Sequence, residues 1–219
     1  ESNSLRLPFY TDCIIIVSLL EPLRVLSATL QNIAQQTAFR RITEMDKQEL
    51  LSQLENAKNN YILGLAALAL FATEESYPLL EKSTCSFGSY SLSFAQVANL
   101  LRKQEDKEIA VKEFMKMLLR ALIKETFEII KSYCEISKKA SLFTGQPFYQ
   151  FARLIRNCLS HNFRFEFSKY DKGLLPVSWK SKTITLPMDG NYLELSFFGY
   201  VETWELFTEM QAFVRDILA

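Results

Sequence analysis

Between Phe148 and His161 the chain reads FYQFARLIRNCLSH. Set out as a helix at about 100° per residue, Phe148, Phe151, Ala152, Leu154, Ile155, Cys158 and Leu159 fill one apolar arc. Tyr149, Gln150, Arg153, Arg156, Asn157, Ser160 and His161 fall on the other side, within an arc of roughly 140°. One face must therefore be covered by other elements. The opposite face carries two guanidiniums, two carboxamides, two hydroxyls and an imidazole. The break Thr144-Gly-Gln-Pro147 precedes this helix, with Pro147 at a tolerated first-turn position.

Working upstream, the same period recurs. Residues 107–138 carry a broad apolar stripe of Phe114, Met117, Leu118, Ala121, Leu122 and Phe127. A shorter helix is expected at Phe94–Lys103, and Glu105-Asp106-Lys107-Glu108 reads as an exposed charged link between the two. The polar, turn-rich Thr84–Ser93 marks a break. Before it, Asp46-x-x-Glu49 forms a capping box for a helix running to about Glu75, with Leu50, Leu54, Ala57, Tyr61 and Leu65 on one side. From Asp12 to about Gln36 apolar residues dominate, and Pro22 starts or kinks a further helix.

Downstream of His161 the period changes to 2. Phe163-Arg-Phe-Glu-Phe167 alternates strictly, so Phe163, Phe165 and Phe167 share the face that covers the helices. Thr183-Ile-Thr-Leu186 and Tyr192-Leu-Glu-Leu-Ser-Phe197 flank the turn pair Asp189-Gly190, which reads as an antiparallel hairpin. An amphipathic helix over Thr203–Leu218 closes the chain. The fold class is mainly α: an up-and-down helix bundle over residues 1–161, then a small antiparallel β-sheet appendage and C-terminal helix over 162–219, packed on the same domain.

Composition limits the chemistry. The 219 residues carry 25 basic against 25 acidic side chains, with 48% hydrophobic and 23% charged residues. That balance excludes disordered, collagen-like and polybasic classes, and any RNA binding must come from a local patch. Six glycines argue against Gly-rich phosphate loops, and no G-x-S-x-G, H-E-x-x-H or dinucleotide fingerprint occurs. Cys13, Cys85, Cys134 and Cys158 show no C-x-x-C spacing. With a single histidine they do not build a Cys2His2 zinc site, so neither metal nor other cofactor is expected and the chain reads as reduced and cytoplasmic. The apolar runs Cys13–Leu20 and Tyr61–Ala72 fall short of the roughly 20 residues of a membrane span and read as buried helix segments. No signal peptide is expected. The 17 phenylalanines are read as core and sheet packing rather than a base-stacking platform.

The polar face of Phe148–His161 suits phosphodiester chemistry. Cleaving RNA without metal requires a group that takes the 2′-OH proton, another that protonates the leaving 5′ oxygen, and positive charge against the phosphorane. Histidine serves both proton roles near neutral pH. Arginine offers a planar fork of donors where charge develops. Arg156 lies about a turn and a half from His161, near enough to share a phosphate. Arg153 and Ser160 are candidate secondary phosphate contacts. One chain supplies only one imidazole, so an acid–base pair requires a second copy, which a two-fold homodimer would bring. Against this stands a structural reading, in which His161 caps the helix C-terminus and the arginines are solvated surface charges.

The run Arg156-Asn157-Cys158-Leu159-Ser160-His161 fits R-N-x-x-x-H, and resembles the R-x4–6-H signature of the HEPN superfamily. The resemblance implies a helix bundle, dimerisation that joins two motifs in one cleft, and metal-independent endoribonuclease activity with RNA as substrate. Arg156 and His161 would be catalytic, with Asn157 the polar supporting residue. Relatives act as toxins, in defence and in RNA processing; others have lost catalysis and serve as RNA-binding or interaction modules, which is the alternative function here. In those controlled by a nucleotidyltransferase antitoxin, a tyrosine two places after the histidine is modified. Phe163 stands at that place, so control by modification there is not expected, while binding of such a partner stays open.

Overall fold

Asp46 opens the first helix among the described residues. Its Oδ1 accepts the Glu49 backbone N–H at 2.7 Å, satisfying one of the donors a helix start leaves unpaired. The structure, a computed structural model, describes residues 46–218. The expected Asp12–Gln36 helix with Pro22 and the Cys13–Leu20 run lie outside the described residues. Helix α1 spans Lys47–Phe71. It buries Leu50, Leu54, Ala57 and Tyr61 as expected, with Leu65 half-buried. The Tyr61–Ala72 run is not a fully buried segment: Leu68 is covered, but Leu63 and Leu70 are 70% and 61% exposed. Apolar residues all around this part of the helix outnumber the single stripe that its neighbours cover.

The chain divides into two compact units; of the described residues, 66–112 form one, and 46–65 with 113–218 the other. In the first, a 3-10 turn at Glu74–Ser76 leads to α2 (Tyr77–Lys82), strands β1 (Thr84–Phe87) and β2 (Tyr90–Ser93), and α3 (Ala95–Arg102). Tyr77, Ala98 and Leu101 make its core, with Phe71, Leu80 and Val97 packed against them. The Tyr77 hydroxyl donates to the Leu101 carbonyl at 3.3 Å and accepts from Lys107 Nζ at 3.1 Å, so the buried ring keeps its polar end satisfied. The stretch expected as a break at Thr84–Ser93 is a hairpin, pairing Thr84 with Ser93 and Phe87 with Tyr90 around Gly88. Its hydroxyl and apolar residues alternate, and that period-2 pattern outweighs the polar composition. The charged run Glu105–Glu108 is likewise no link. It is the first turn of α4 (Gln104–Ile136), where Glu105 and Asp106 meet the positive end of the helix dipole.

In the second unit α4 buries Leu118, Leu119, Leu122, Ile123, Phe127 and Ile130; of the expected stripe, Met117 is exposed and Phe114 half-buried. A Cβ at Gly64 would fall 2.3 Å from a Leu118 methyl, so glycine permits this approach of α1 to α4. Lys138, in the left-handed region at φ 58°, ends α4. Short α5 (Ala140–Thr144) then precedes α6 (Tyr149–Ser160). Pro147 sits just before the Phe148 N-cap rather than inside the first turn. All seven residues of the expected apolar arc of α6 are buried. Phe143 anchors an aromatic cluster with Phe127, Phe148, Tyr149 and Phe213 at centroid distances of 5.0–6.3 Å, and Phe151 stacks on Trp179 at 5.1 Å. Each such ring stabilises the fold by about 2–3 kcal/mol through area removed from water.

After α6 and the turn that closes it, the chain runs extended through Phe167. Phe163, Phe165 and Phe167 are buried and Arg164 and Glu166 exposed, as the alternation predicts. The pairing differs from expectation. Phe163–Phe167 bonds to residues 190–193, through Phe165 N–H to Asn191 O (2.9 Å), Gly190 N–H to Phe165 O (2.8 Å) and an isolated Arg164–Tyr192 bridge. Then come α7 (Lys169–Leu174), β3 (Val177–Trp179) and β4 (Lys182–Ile184), and the last two form the small antiparallel sheet. Asp189-Gly190 does not close a hairpin between 183–186 and 192–197. Asp189 has φ −58° and ψ 129°, Gly190 has φ 79°, and Asn191 N–H donates to Met188 O at 3.0 Å. That is a type II turn, whereas a two-residue hairpin needs positive φ at its first central residue. The final helix α8 runs Tyr200–Asp216, three residues earlier than expected, because Glu202 accepts the Gly199 N–H at 2.9 Å. The chain is thus mainly helical, with a small antiparallel sheet after α6 and a C-terminal helix. Among the described residues no single helix is long and apolar enough to cross a membrane.

Candidate functional site

The polar face of α6 rests on a helix fixed by its buried side, so its side chains start from a rigid base. Their partners divide them into two groups. Arg153 Nη2 lies 2.6 Å from Asp171 Oδ1, its Nε donates to Gln150 Oε1 at 3.0 Å, and its guanidinium covers the Tyr170 ring at 5.3 Å. Asp171 is only 3% exposed. Burial opposes its ionisation, but hydrogen bonds from the Ser168 hydroxyl, Arg153 and the Ser168 backbone outweigh this and hold the carboxyl below its usual range. The Ser168 cap, with Oγ 2.6 Å from Asp171 Oδ2 and the Asp171 N–H returned to it at 3.1 Å, makes the pair the foundation of α7.

Arg156 forms an ion pair with Glu128 of α4, and its Nη1 donates to Asn157 Oδ1 at 2.8 Å. Partial burial lowers the Arg156 guanidinium from its ordinary value, which leaves it charged at neutral pH. The Ser160 hydroxyl donates to the Arg156 carbonyl at 3.0 Å and so is turned back onto its own helix.

His161 is the C-cap residue of α6, its N–H donating to the Asn157 and Cys158 carbonyls at 3.0 and 3.1 Å. Here the chain turns sharply, with Asn162 and Phe163 both in the left-handed region at φ 53° and 64°. This conformation costs roughly 1–2 kcal/mol per residue, and the burial of Phe163 beneath Arg120 and Lys116 offsets it. The turn brings Glu166 back to the imidazole, with Nδ1 and Oε2 3.2 Å apart. Both side chains are more than half exposed. They open on a cleft of about 680 Å³ lined by His161, Arg164, Phe165, Glu166, Phe167, Ser168, Asp189 and Gly190. Lys172 and the Phe167 N–H hold Asp189 at 2.8 and 3.0 Å, which keeps its carboxyl below the usual range.

The structure therefore brings Arg156 and Asn157 together, and it sends Arg156 and His161 to different carboxylates. Sequence reasoning missed Glu128, Asp171, Glu166 and Arg164. The last two were in sight, since alternate residues of Phe163–Phe167 share the outward side. Among the described residues no cluster of three or more His, Cys, Asp or Glu side chains is placed to hold a metal ion. No family model, no curated protein and no solved structure matches the chain.

Proposed function

We propose that this protein is a HEPN-like, metal-independent endoribonuclease of the cytoplasm whose site is completed by a second copy of the chain. The observation that supports the reading is the setting of the lone imidazole. His161 stands exposed at a cleft with Nδ1 facing a carboxylate. In this reading the neutral ring carries its proton on Nδ1, on the side of Glu166, and Nε2 holds the lone pair that a general base needs. In the proposed reaction Nε2 takes the 2′-OH proton and the 2′ oxygen attacks the adjacent phosphorus. The bond from phosphorus to the 5′ oxygen breaks, giving a 2′,3′-cyclic phosphate, and the imidazolium of the second copy protonates the leaving oxygen. On the resemblance, such an enzyme would act as a toxin or defence ribonuclease, with a nucleotidyltransferase-like antitoxin as the class of partner.

A second reading, a non-catalytic HEPN-fold interaction or RNA-binding module, draws on the ion pairs. Arg153 and Arg156 already have carboxylate partners, and a phosphate would have to displace Glu128 from Arg156. Incubating the protein with labelled RNA in EDTA, beside His161→Ala and Arg156→Ala, separates the two. Cleavage in EDTA that both substitutions abolish supports the enzyme; RNA bound and left intact supports the module.

A further inference from the structure

Among the described residues, the arginine that lines the cleft with His161 holds no carboxylate. Arg164 Nε donates to the Gly190 carbonyl at 2.8 Å, which anchors the root of the guanidinium, and its terminal nitrogens take no part in an ion pair. Two details relate its backbone to that of His161 and Glu166. The Arg164 N–H donates to the His161 carbonyl at 3.0 Å, closing the turn. Arg164 and Glu166 are alternate residues of an extended segment and so stand about 7 Å apart on one side of it. The imidazole beside Glu166 and the Arg164 side chain line the same cleft. Gly190, at φ 79°, completes the wall; its backbone takes a conformation that a side chain would strain, and the carbonyl gripping Arg164 belongs to this same residue. Arg153 and Arg156, by contrast, have their charge neutralised by Asp171 and Glu128.

We propose that the phosphodiester of a single-stranded RNA docks in this cleft on the terminal nitrogens of Arg164, with Glu166 as the positioning residue that presents Nε2 of His161 to it. The inference rests on the ribonuclease reading for its substrate class, and it adds to the motif's Arg156 a docking contact beyond the motif, on an arginine that no carboxylate holds. A free guanidinium offers two parallel donors to a phosphate without first giving up a carboxylate.

The test uses a fluorescein-labelled 2′-O-methyl RNA octamer, which lacks the attacking hydroxyl and so reports binding alone. Arg164→Ala is expected to weaken binding about 10-fold or more and to reduce the salt dependence by about one phosphate contact. Arg164→Lys should recover part of the affinity, and Arg153→Ala at matched folded fraction should bind as the wild type does. Because the chain has one histidine, its imidazole nitrogen signals need no assignment. They should show the Nδ1–H tautomer in the neutral ring, lose it in Glu166→Ala, and move on adding the octamer to wild type but not to Arg164→Ala. Unchanged binding by Arg164→Ala, or an Nε2–H tautomer in the wild type, overturns the proposal. Failure of the parent reading looks different: unmodified RNA would stay intact while octamer binding still depended on Arg164. Cleavage undiminished in Arg164→Ala would overturn this inference alone.

Discussion

The two sides of His161 treat their arginines in opposite ways. On α6, before it, each arginine reaches a carboxylate from another element: Arg153 to Asp171 of α7, Arg156 to Glu128 of α4. In the extended segment after it, Arg164 leans on a backbone carbonyl and leaves its charge facing the cleft. The difference teaches that spacing from a histidine does not give an arginine its work. A guanidinium close to a buried carboxylate belongs to the fold, because removing it strands a charge in a poor solvent. A guanidinium without such a partner is open to a ligand.

The comparison breaks most readily at Arg153. Arg153→Ala leaves Asp171, 3% exposed, without its cation, and should cost about 2–3 kcal/mol in urea unfolding. A loss below about 0.5 kcal/mol would place Arg153 with the free surface charges instead. Arg156 and Glu128 are about a third exposed, so solvent screens their pair, and Arg156→Ala should cost only about 1 kcal/mol.

Acid titration sharpens the same contrast. Asp171 has a folded-state carboxyl below its unfolded value, so its contribution is fully present above the unfolded carboxylate range. It is lost as pH falls through the folded value, where the unfolded chain binds more protons. Asp171→Asn should flatten the fall in stability below about pH 4 relative to wild type. An unaltered acid limb would mean that Arg153 and Asp171 are not coupled as the geometry shows. The smallest effect belongs to Arg164→Ala, which is expected to shift stability by no more than about 0.5 kcal/mol, the cost of an exposed hydrogen bond.

Much of this was legible in the sequence, and the reasons are physical. The helix at α6 follows from a 3.6 period that leaves no alternative, and its seven apolar residues are all buried. The burial of Phe163, Phe165 and Phe167 follows from period 2 in the same way. Periodicity assigns a face, however, and says nothing of which strand pairs with which. The Asp189-Gly190 pair looked like a hairpin because Gly190 takes a positive φ. Only Asp189, whose carboxylate is held by Lys172 and the Phe167 N–H, decides between turn types, and those contacts come from elsewhere in the chain. The site followed the same rule. Residue counting singled out His161 as the one imidazole, and geometry gave the polar face of α6. Glu128 and Asp171, which capture the two arginines of that face, lie 28 residues before Arg156 and 18 after Arg153, at separations no local pattern records.

The most direct measurement takes Arg164→Ala and Arg153→Ala from parallel preparations and records two quantities on each, unfolding free energy and affinity for the 2′-O-methyl octamer. A crossed result is expected: Arg164→Ala keeps the stability of the wild type and loses about 10-fold in affinity, while Arg153→Ala loses stability and, where folded, keeps its affinity. Affinity lost in Arg153→Ala and kept in Arg164→Ala would contradict it.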